Sequence, residues 1–387
     1  MAAHPLTDGE RPLRILVVTR SYPAAGDLYQ YPFVHRRVLA YQAAGHDVAV
    51  FRPAEGPRTA HRYEGVTCKS GDGDALLDLA RDFHPEVIAA HGFSEAMWPL
   101  LSSIADVPIR AWLHGSEIPA FFRQRSAAIA DPRERADALA EVELRRRFWL
   151  DLLDRRPARL QLVFPSRSAV AMMREDVGDL LGEHDHVVLP NPIDTDLFRY
   201  VPKEEDMRLR VLSIRPFDSA TRGNDITVAA IRSLSDRSGF DQLQFTIIGD
   251  GAQFDEELAP LGRLAGVTVR RQFLTQADIA EEHARHGIFL VPTRLDTQGV
   301  SRDEAMASGL VPVTSDIPTV REFADETCAA VVPNEAAAFA NALWEMIESP
   351  ELFLRRSAAA AVRVRHRTSH ERIVPAELTL LAEAARG

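Results

Sequence analysis

The stretch that decides the fold is GIFLVPTRLDTQGVSRDEAMASGLVPVT, which runs from Gly287 to Thr314. Its opening apolar run predicts a buried strand, the middle predicts a short helix that stops at Gly309, and VPVT predicts a further strand. A strand, a helix and a second strand in succession indicate a parallel α/β sheet. Two acids, Asp296 and Glu304, lie on either side of Gly299, where the first strand gives way to the helix.

The same alternation of strands and helices occurs twice along the chain. One series begins with RILVVT (Arg14–Thr19) and the other with RVLSI (Arg210–Ile214), and a proline-containing segment that ends in a charge run separates them. Nearly continuous apolar strands predict parallel sheets covered on both faces. We therefore predict an α/β protein with two Rossmann-like, doubly wound parallel-sheet domains facing across a cleft. The first would span 1–195 and the second 206–365, with a C-terminal helix at about 366–387 packed back on the first.

Composition narrows the class of protein. The 387 residues suit two domains, and 46% hydrophobic with 26% charged residues is typical of a globular enzyme. A net charge of -11 argues against binding to nucleic acid. Cys68 and Cys328 form no CxxC motif, so no structural zinc or disulfide framework is expected. The polar N-terminus and the lack of a long apolar run predict a cytoplasmic protein.

The helix that follows Gly299 predicts a binding site for an anion. Free N–H groups at a helix N-terminus, together with the helix dipole, suit a diphosphate. Asp296 and Glu304 could accept hydrogen bonds from hydroxyl groups on either side of it, which describes a nucleotide sugar. The alternative is a capping box at Ser301–Glu304, in which Glu304 only bonds to the backbone.

Several motifs occur in order over nearly the whole chain. The Asp296–Glu304 region resembles the E-x7-E region of GT-B glycosyltransferases of the large retaining family 4, which typically reads EGFG…EAMASG. SIRPF resembles the family's strand ending in GR, TRGND its KG-x-D, TIIGDG its glycine turn and LPNPIDTDLF its PNGIDxxxF. LHGSE resembles its HG motif and AGHDVAVF its GH-x-V. DLYQYPFVHRRVLAYQAAG is similar to members associated with capsular and cell-surface polysaccharides.

The resemblance implies a GT-B fold and transfer of a sugar from an NDP-sugar to an acceptor hydroxyl with retention of configuration. The acceptor would be a sugar, a lipid-linked molecule or a small molecule, in surface polysaccharide or glycolipid assembly or in natural-product glycosylation. No cofactor is implied, because the NDP-sugar is a substrate. No metal is implied either, since the sequence shows no DxD of the type that holds a metal-bound diphosphate, and the DTD at Asp194–Asp196 lies in the linker motif.

The resemblance also implies a role for particular residues. Arginines would clamp the diphosphate, an acid would bind ribose and a histidine would touch the transferred sugar from the first domain. The implied catalytic residues are His114, Arg215, Arg222, Asp296 and Glu304. The implied donor-binding residues are Gly249, Gly251, Gln298, Gly299, Val300 and Ser301, and those of the acceptor-side loop are Gly26, Tyr29 and Glu117.

Three features of the sequence depart from the family pattern. Asp296 is one methylene shorter than glutamate, which alters its reach toward the sugar. Thr297 and Gln298 replace the Gly-Phe pair and make the pocket more polar. The first-domain loop has Gly26 where paired glycines are usual. These changes affect specificity more than reaction class.

Other classes of function compete with this interpretation. A nicotinamide-dependent oxidoreductase needs GxGxxG after its first strand, which TRSYPAAGDLYQ does not supply. A bilobed solute-binding protein would normally carry an export leader. A GT-B epimerase or hydrolase of nucleotide sugars, or a non-catalytic sugar-nucleotide-binding protein, stays open.

A long helix predicted over DPRERADALAEVELRRRFWLDLLDRR has an apolar side formed by Leu144, Phe148, Trp149 and Leu152, next to the basic run Arg145–Arg147. Such a helix could make peripheral contact with a membrane at its inner face. An ordinary surface helix with a solvated charged side explains the pattern equally well.

Overall fold

The computed structural model describes residues 11–25, 27 and 30–387. These residues form two compact units. The first takes in the described residues of Met1–Arg123, Ala136–Pro192 and Glu371–Gly387, and the second takes in Gln124–Arg135 and Ile193–His370. Relative to the expected limits, residues 193–195, residues 366–370 and Gln124–Arg135, which contains the first residues of the long predicted helix, group with the second unit.

Each unit is built on one sheet. In the described chain the first sheet has the order β3-β4-β2-β1-β5-β6-β7-β8 and the second the order β11-β10-β9-β12-β13-β14. The strands are β1 (Arg14–Thr19), β2 (Asp47–Pro53), β3 (Thr59–Tyr63), β4 (Val66–Gly71), β5 (Val87–His91), β6 (Ile109–Trp112), β7 (Leu160–Phe164), β8 (His186–Val188), β9 (Arg210–Ile214), β10 (Gln244–Gly249), β11 (Val267–Arg271), β12 (Ile288–Val291), β13 (Val311–Ser315) and β14 (Ala330–Val332).

Helices connect most of the successive parallel strands, because parallel neighbours need a crossover, and further helices follow the last strand. They are α1 (Pro32–Ala43), α2 (Gly73–Phe83), α3 (Met97–Ser102), α4 (Pro119–Ala127), α5 (Pro132–Arg155), α6 (Arg167–Val177), α7 (Asn224–Leu234), α8 (Phe254–Leu258), α9 (Gln276–Arg285), α10 (Val300–Ala307), α11 (Pro318–Phe323), α12 (Ala336–Glu348), α13 (Pro350–Arg367) and α14 (His370–Arg386). None of the helices in the described part of the chain combines the length and apolarity needed to span a membrane.

Both faces of each sheet are covered, which confirms the prediction from the apolar strands. Alternate residues of β1 enter different cores: Leu16 and Val18 pack in one, Ile15 and Val17 in another. Strand β9 does the same in the second unit, with Val211 in one core and the following Leu212 in another. The fold class is therefore α/β with two parallel-sheet domains.

One edge of the first sheet differs from an all-parallel arrangement. Strand β3 pairs with β4 in antiparallel register, from Thr59 opposite Ser70 to Tyr63 opposite Val66. The turn between them places Glu64 and Gly65 at φ of 40° and 86°. The sequence did not predict this hairpin because β3 is polar and mostly exposed, so it has no apolar signal to detect.

Candidate functional site

Two glycines allow close packing of backbones where β9 and β10 end. A Cβ atom at Gly249 would overlap the carbonyl oxygen of Arg215, and one at Gly251 would overlap that of Phe217. The backbone of residues 215–217 therefore occupies the space that a side chain at either glycine would need. The resemblance predicted that these glycines pass beneath the nucleotide; their packing role here is to hold the loop after β9 in place.

Arg215 follows β9 and is 5% exposed. Its Nη2 donates to the carbonyls of Arg222 (2.9 Å) and Pro292 (3.0 Å), which ties the loops after β9 and β12 together. Among the described residues, no partner is found for its buried Nε. Burial, followed by the nearby charge of Arg222, lowers the pKa of Arg215 to about 10, and Asp296 opposes that shift. Arg215, Arg222 and Asp296 thus lie within electrostatic reach of one another.

Arg222 is the last residue of a one-turn 3-10 helix, Ala220–Arg222, and an ion pair holds the start of the helix that follows it. The next helix carries Asp225. Its two carboxylate oxygens accept hydrogen bonds from Nη1 and Nη2 of Arg294, at 2.8 and 2.7 Å. Arg222 itself stays partly exposed, with its Nε 3.7 Å from Asp218. Arg294 was not predicted as a site residue, although its place three residues after β12 puts it in the loop at the end of that strand. It anchors the loop that presents Arg222.

The loop ahead of α10 is organised by Asp296. Its Oδ1 accepts hydrogen bonds from the amides of Thr297 (2.8 Å) and Gln298 (3.2 Å), and its carbonyl accepts one from Thr319 Oγ1 (2.9 Å). One carboxylate oxygen of Asp296 is therefore engaged in shaping the loop. Gly299 follows at φ 94°, a conformation that favours glycine.

Helix α10 begins at Val300, one residue ahead of Ser301, with Gly299 as its N-cap and no side-chain cap. The capping box at Ser301–Glu304 does not form, because Ser301 already lies inside the helix. The amide of Asp303 bonds to the Gly299 carbonyl at 3.0 Å, so the amides of Val300 and Ser301 stand at the helix N-terminus. Glu304 is partly buried, one turn into the helix.

His114 belongs to the first unit and is packed among aromatic rings. Its ring centroid lies 4.6 Å from that of Phe33 and 5.7 Å from that of Tyr31, and its Nε2 is 3.2 Å from His91 Nδ1. Burial, and then the charge of Arg37, hold the pKa of His114 well below its usual range. The ring is therefore neutral near pH 7.

A cavity of about 560 Å³ opens in the first unit. Its walls include Arg20 and Asp72, which directly follow β1 and β4, and Phe93, two residues after β5. These residues lie at the edge where open parallel sheets bind ligands. Trp149 adds a second aromatic wall and Glu117 a buried acid. Of these five wall residues, only Glu117 was among the predicted site residues. The other four come from elements that lie far apart along the chain.

Glu117 shapes the loop after β6. Its Oε2 accepts from the His114 amide (2.8 Å) and its Oε1 from Ser116 Oγ (3.0 Å), while its carbonyl accepts from Trp149 Nε1 (2.8 Å). The other two residues predicted for the acceptor side, Gly26 and Tyr29, lie outside the described residues.

The Asp-Thr-Asp segment takes part in a cluster that has metal-ligand chemistry. Asp194, Asp196 and His370 each offer a ligand atom within 4.8 Å of the others. Asp194 Oδ1 accepts from the Leu197 amide (3.0 Å), and His370 Nδ1 accepts from the Thr195 amide (3.2 Å). These contacts stabilise the turn with which the second unit begins.

The apolar side predicted for α5 is divided between the core and the solvent. Trp149 and Leu152 are buried, whereas Leu144 is 62% exposed. Arg147 Nε lies 2.9 Å from Glu143, so the basic run is partly paired along the helix. Contact with a membrane stays a prediction.

Comparison with known proteins gives the family of the second unit. Residues 208–349 match the family model described as "Glycosyl transferases group 1". No curated protein matches the chain in sequence.

Similar solved structures span nearly the whole chain. Sucrose-phosphate synthase from Thermosynechococcus elongatus has a TM-score of 0.73 at 16% identity, covering 96% of this chain and 99% of that chain. A glycosyltransferase from Rickettsia africae has a TM-score of 0.69 at 12% identity, covering 96% and 98%. HepE of Anabaena, in complex with UDP and glucose, has a TM-score of 0.69 at 16% identity, covering 96% and 100%. The second unit therefore carries a domain of the glycosyl transferases group 1, in a chain that has the fold of the GT-B glycosyltransferases.

Proposed function

We propose that this protein transfers a sugar from a nucleoside diphosphate sugar to an acceptor hydroxyl, with retention of anomeric configuration. One observation carries the proposal. In a domain of the glycosyl transferases group 1, buried Arg215 lies within electrostatic reach of Arg222 and Asp296, beside a loop that leads into the N-terminus of α10. Positive charge, free amides and hydroxyl-binding acids are the groups that a nucleotide sugar requires.

The residues of the second unit would act on the leaving group. Arg215 and Arg222 would offset the charge that develops on the diphosphate as the glycosidic bond breaks, and the first amides of α10 would donate hydrogen bonds to it. Asp296 and Glu304 would accept hydrogen bonds from sugar and ribose hydroxyls. An oxygen of the departing diphosphate would take the proton of the acceptor hydroxyl. With two arginines in place, we expect the reaction to need no divalent metal.

The cavity of the first unit supports transfer to a second substrate over hydrolysis or epimerisation without an acceptor. It combines an apolar surface from Phe93, Met97 and Trp149 with acids at Asp72 and Glu117. That combination suits a hydroxyl-bearing acceptor with an apolar face. HepE is described with UDP and glucose, which supports a nucleotide-sugar donor here as well.

A panel of NDP-sugars, each incubated with and without candidate acceptors, tests the proposal. The anomeric coupling constant of the product, measured by NMR, reports whether configuration is retained. We expect Ala96→Trp, at the cavity wall, to reduce transfer while leaving donor binding unchanged, and Ala105→Trp, on the exposed surface elsewhere, to change neither. Turnover of the donor that no acceptor alters, or an inverted product, would contradict the proposal.

A further inference from the structure

Arg302 occupies an unusual position at the start of α10. It is 2% exposed, although it lies in the first turn of a helix next to a loop. Helical side chains lean toward the N-terminus, so its guanidinium reaches back beneath the residues that precede the helix. Its Nη2 donates to the carbonyl of Gln298 at 2.6 Å. A Cβ on Gly299 would lie 2.9 Å from its Nη1, which places the cation directly against the loop backbone.

This contact sets the orientation of one peptide group. The Gln298 carbonyl and the Gly299 N–H belong to the same planar trans peptide and point in opposite directions. Because Arg302 holds the carbonyl on its own side, the Gly299 N–H points away from the guanidinium. Glycine at φ 94° accepts other backbone conformations readily, so this peptide could rotate if nothing held it.

Asp303 holds Arg302 in place. Its Oδ1 accepts from Nε (3.0 Å) and Nη2 (2.7 Å) of Arg302, and its Oδ2 accepts from Gln298 Nε2 (3.1 Å). Gln298 is thus fixed through both its main chain and its side chain. Replacing a buried ion pair with uncharged groups of similar volume is often neutral for stability. A pair buried under a binding loop is therefore better explained by the geometry it imposes than by the stability it adds.

We propose that Arg302, held by Asp303, is a positioning residue that aims the Gly299 amide toward the anion bound ahead of α10. This inference rests on the proposed function, because the anion is taken to be the diphosphate of the donor. In the ligand-free protein the same contact would keep the loop in its binding conformation. Binding would then cause little loss of conformational entropy in the loop.

The double variant Arg302→Met/Asp303→Asn tests the inference. It removes both charges, keeps side-chain volume and leaves Gln298 Nε2 an acceptor at position 303. Arg285→Met, at an exposed arginine of the same unit, is the matched control. We expect the double variant to fold with a Tm close to that of the wild type. We expect it to bind inorganic diphosphate at least about tenfold more weakly by calorimetry, as for the loss of one hydrogen bond to a charged group.

Selective labelling with ¹⁵N-glycine supplies a direct view of the peptide. In the wild type the Gly299 amide resonance should shift when inorganic diphosphate is added. In the ligand-free double variant, and not in Arg285→Met, it should show exchange broadening on the microsecond to millisecond timescale, because the peptide rotates. Unchanged diphosphate affinity in the double variant, a Gly299 resonance that does not respond in a wild type that binds diphosphate by calorimetry, or no broadening in the ligand-free variant would overturn the inference. A wild type that binds no diphosphate while the broadening is present would count against the proposed function instead. If the double variant fails to fold, Arg302→Lys, which keeps the charge beside Asp303 but cannot donate to Asp303 and the Gln298 carbonyl as the guanidinium does, is put through the same two measurements with the same expected results.

Discussion

The guanidinium Nε of Arg37 lies 2.9 Å from Oε1 of Glu377, and this ion pair joins α1 to α14 within the first unit. Both side chains are almost fully buried. Tyr41 donates its hydroxyl to the other Glu377 oxygen at 2.6 Å, and Arg37 Nη2 reaches Asn191 Oδ1 at 3.0 Å. The last helix of the chain is therefore a part of the first unit's core.

Removing one partner of this network should destabilise the protein strongly. We expect Glu377→Ala to lower the free energy of unfolding by about 3–5 kcal/mol, because it leaves the Arg37 cation buried without its counter-ion. Chemical denaturation measures the change. Glu383→Ala, at an exposed glutamate on the same helix, should change it by less than about 0.5 kcal/mol. Equal effects of the two substitutions would show that the buried pair does not hold α14.

Gly249→Ala should disturb both the fold and the site, because the new methyl group would overlap the Arg215 carbonyl. We expect a loss of at least about 2 kcal/mol in the free energy of unfolding, in the range of backbone-displacing changes in a packed core. Gly262→Ala is the matched control, since its nearest neighbour to a Cβ is 3.6 Å away. A Gly249→Ala protein as stable as Gly262→Ala would contradict the tight packing at the end of β10.

Stability should fall as the pH is lowered below neutrality. Burial lowers the pKa of His283 to about 3, whereas an unfolded histidine titrates near 6.5. The unfolded chain therefore binds more protons below pH 6.5, and the free energy of unfolding should drop by about 2 kcal/mol by pH 5 from this residue.

Denaturation curves at pH 7 and pH 5 test the effect of His283. His283→Gln keeps a polar group near Ser308 Oγ, which lies 3.1 Å from Nδ1 in the native protein. The variant should show a smaller loss of stability between the two pH values. An identical loss in both proteins would mean that His283 is not the buried group responsible.

The sequence predicted the fold from its period and its motifs, whereas the roles that it assigned to the site residues stay predictions. The helix after Gly299 was located to within one residue because glycines at both ends limit it. The β3–β4 hairpin was missed, since polar edge strands carry no apolar pattern. Arg302 and Asp303 read as ordinary polar helix residues, and only the structure shows them buried under the loop. The residues that line the cavity were not predicted, because they are far apart in sequence and only the folded sheet brings them together.

The reaction should proceed without added metal. Arg215 and Arg222 provide positive charge in the second unit, which under the proposed function would offset the diphosphate charge as a divalent cation does in metal-dependent transferases. Rates measured in EDTA should match those measured with added Mg²⁺ or Mn²⁺. Loss of turnover in EDTA that a divalent ion restores would contradict metal independence, and the cluster of Asp194, Asp196 and His370 would then be the first place to substitute.

Binding of nucleotide sugars to the second unit is the central claim, and a thermal-shift panel of NDP-sugars tests it most directly, because a ligand that binds the folded state raises Tm by mass action. The account predicts that at least one NDP-sugar raises the Tm of the wild type. It also predicts that Glu304→Ala and Arg215→Ala, once shown to be folded, lose most of that shift, while Asp241→Ala, at an exposed acid, keeps it. The account would be contradicted if no NDP-sugar raised the Tm of the wild type, or if both site variants showed the same rise in Tm as the wild type.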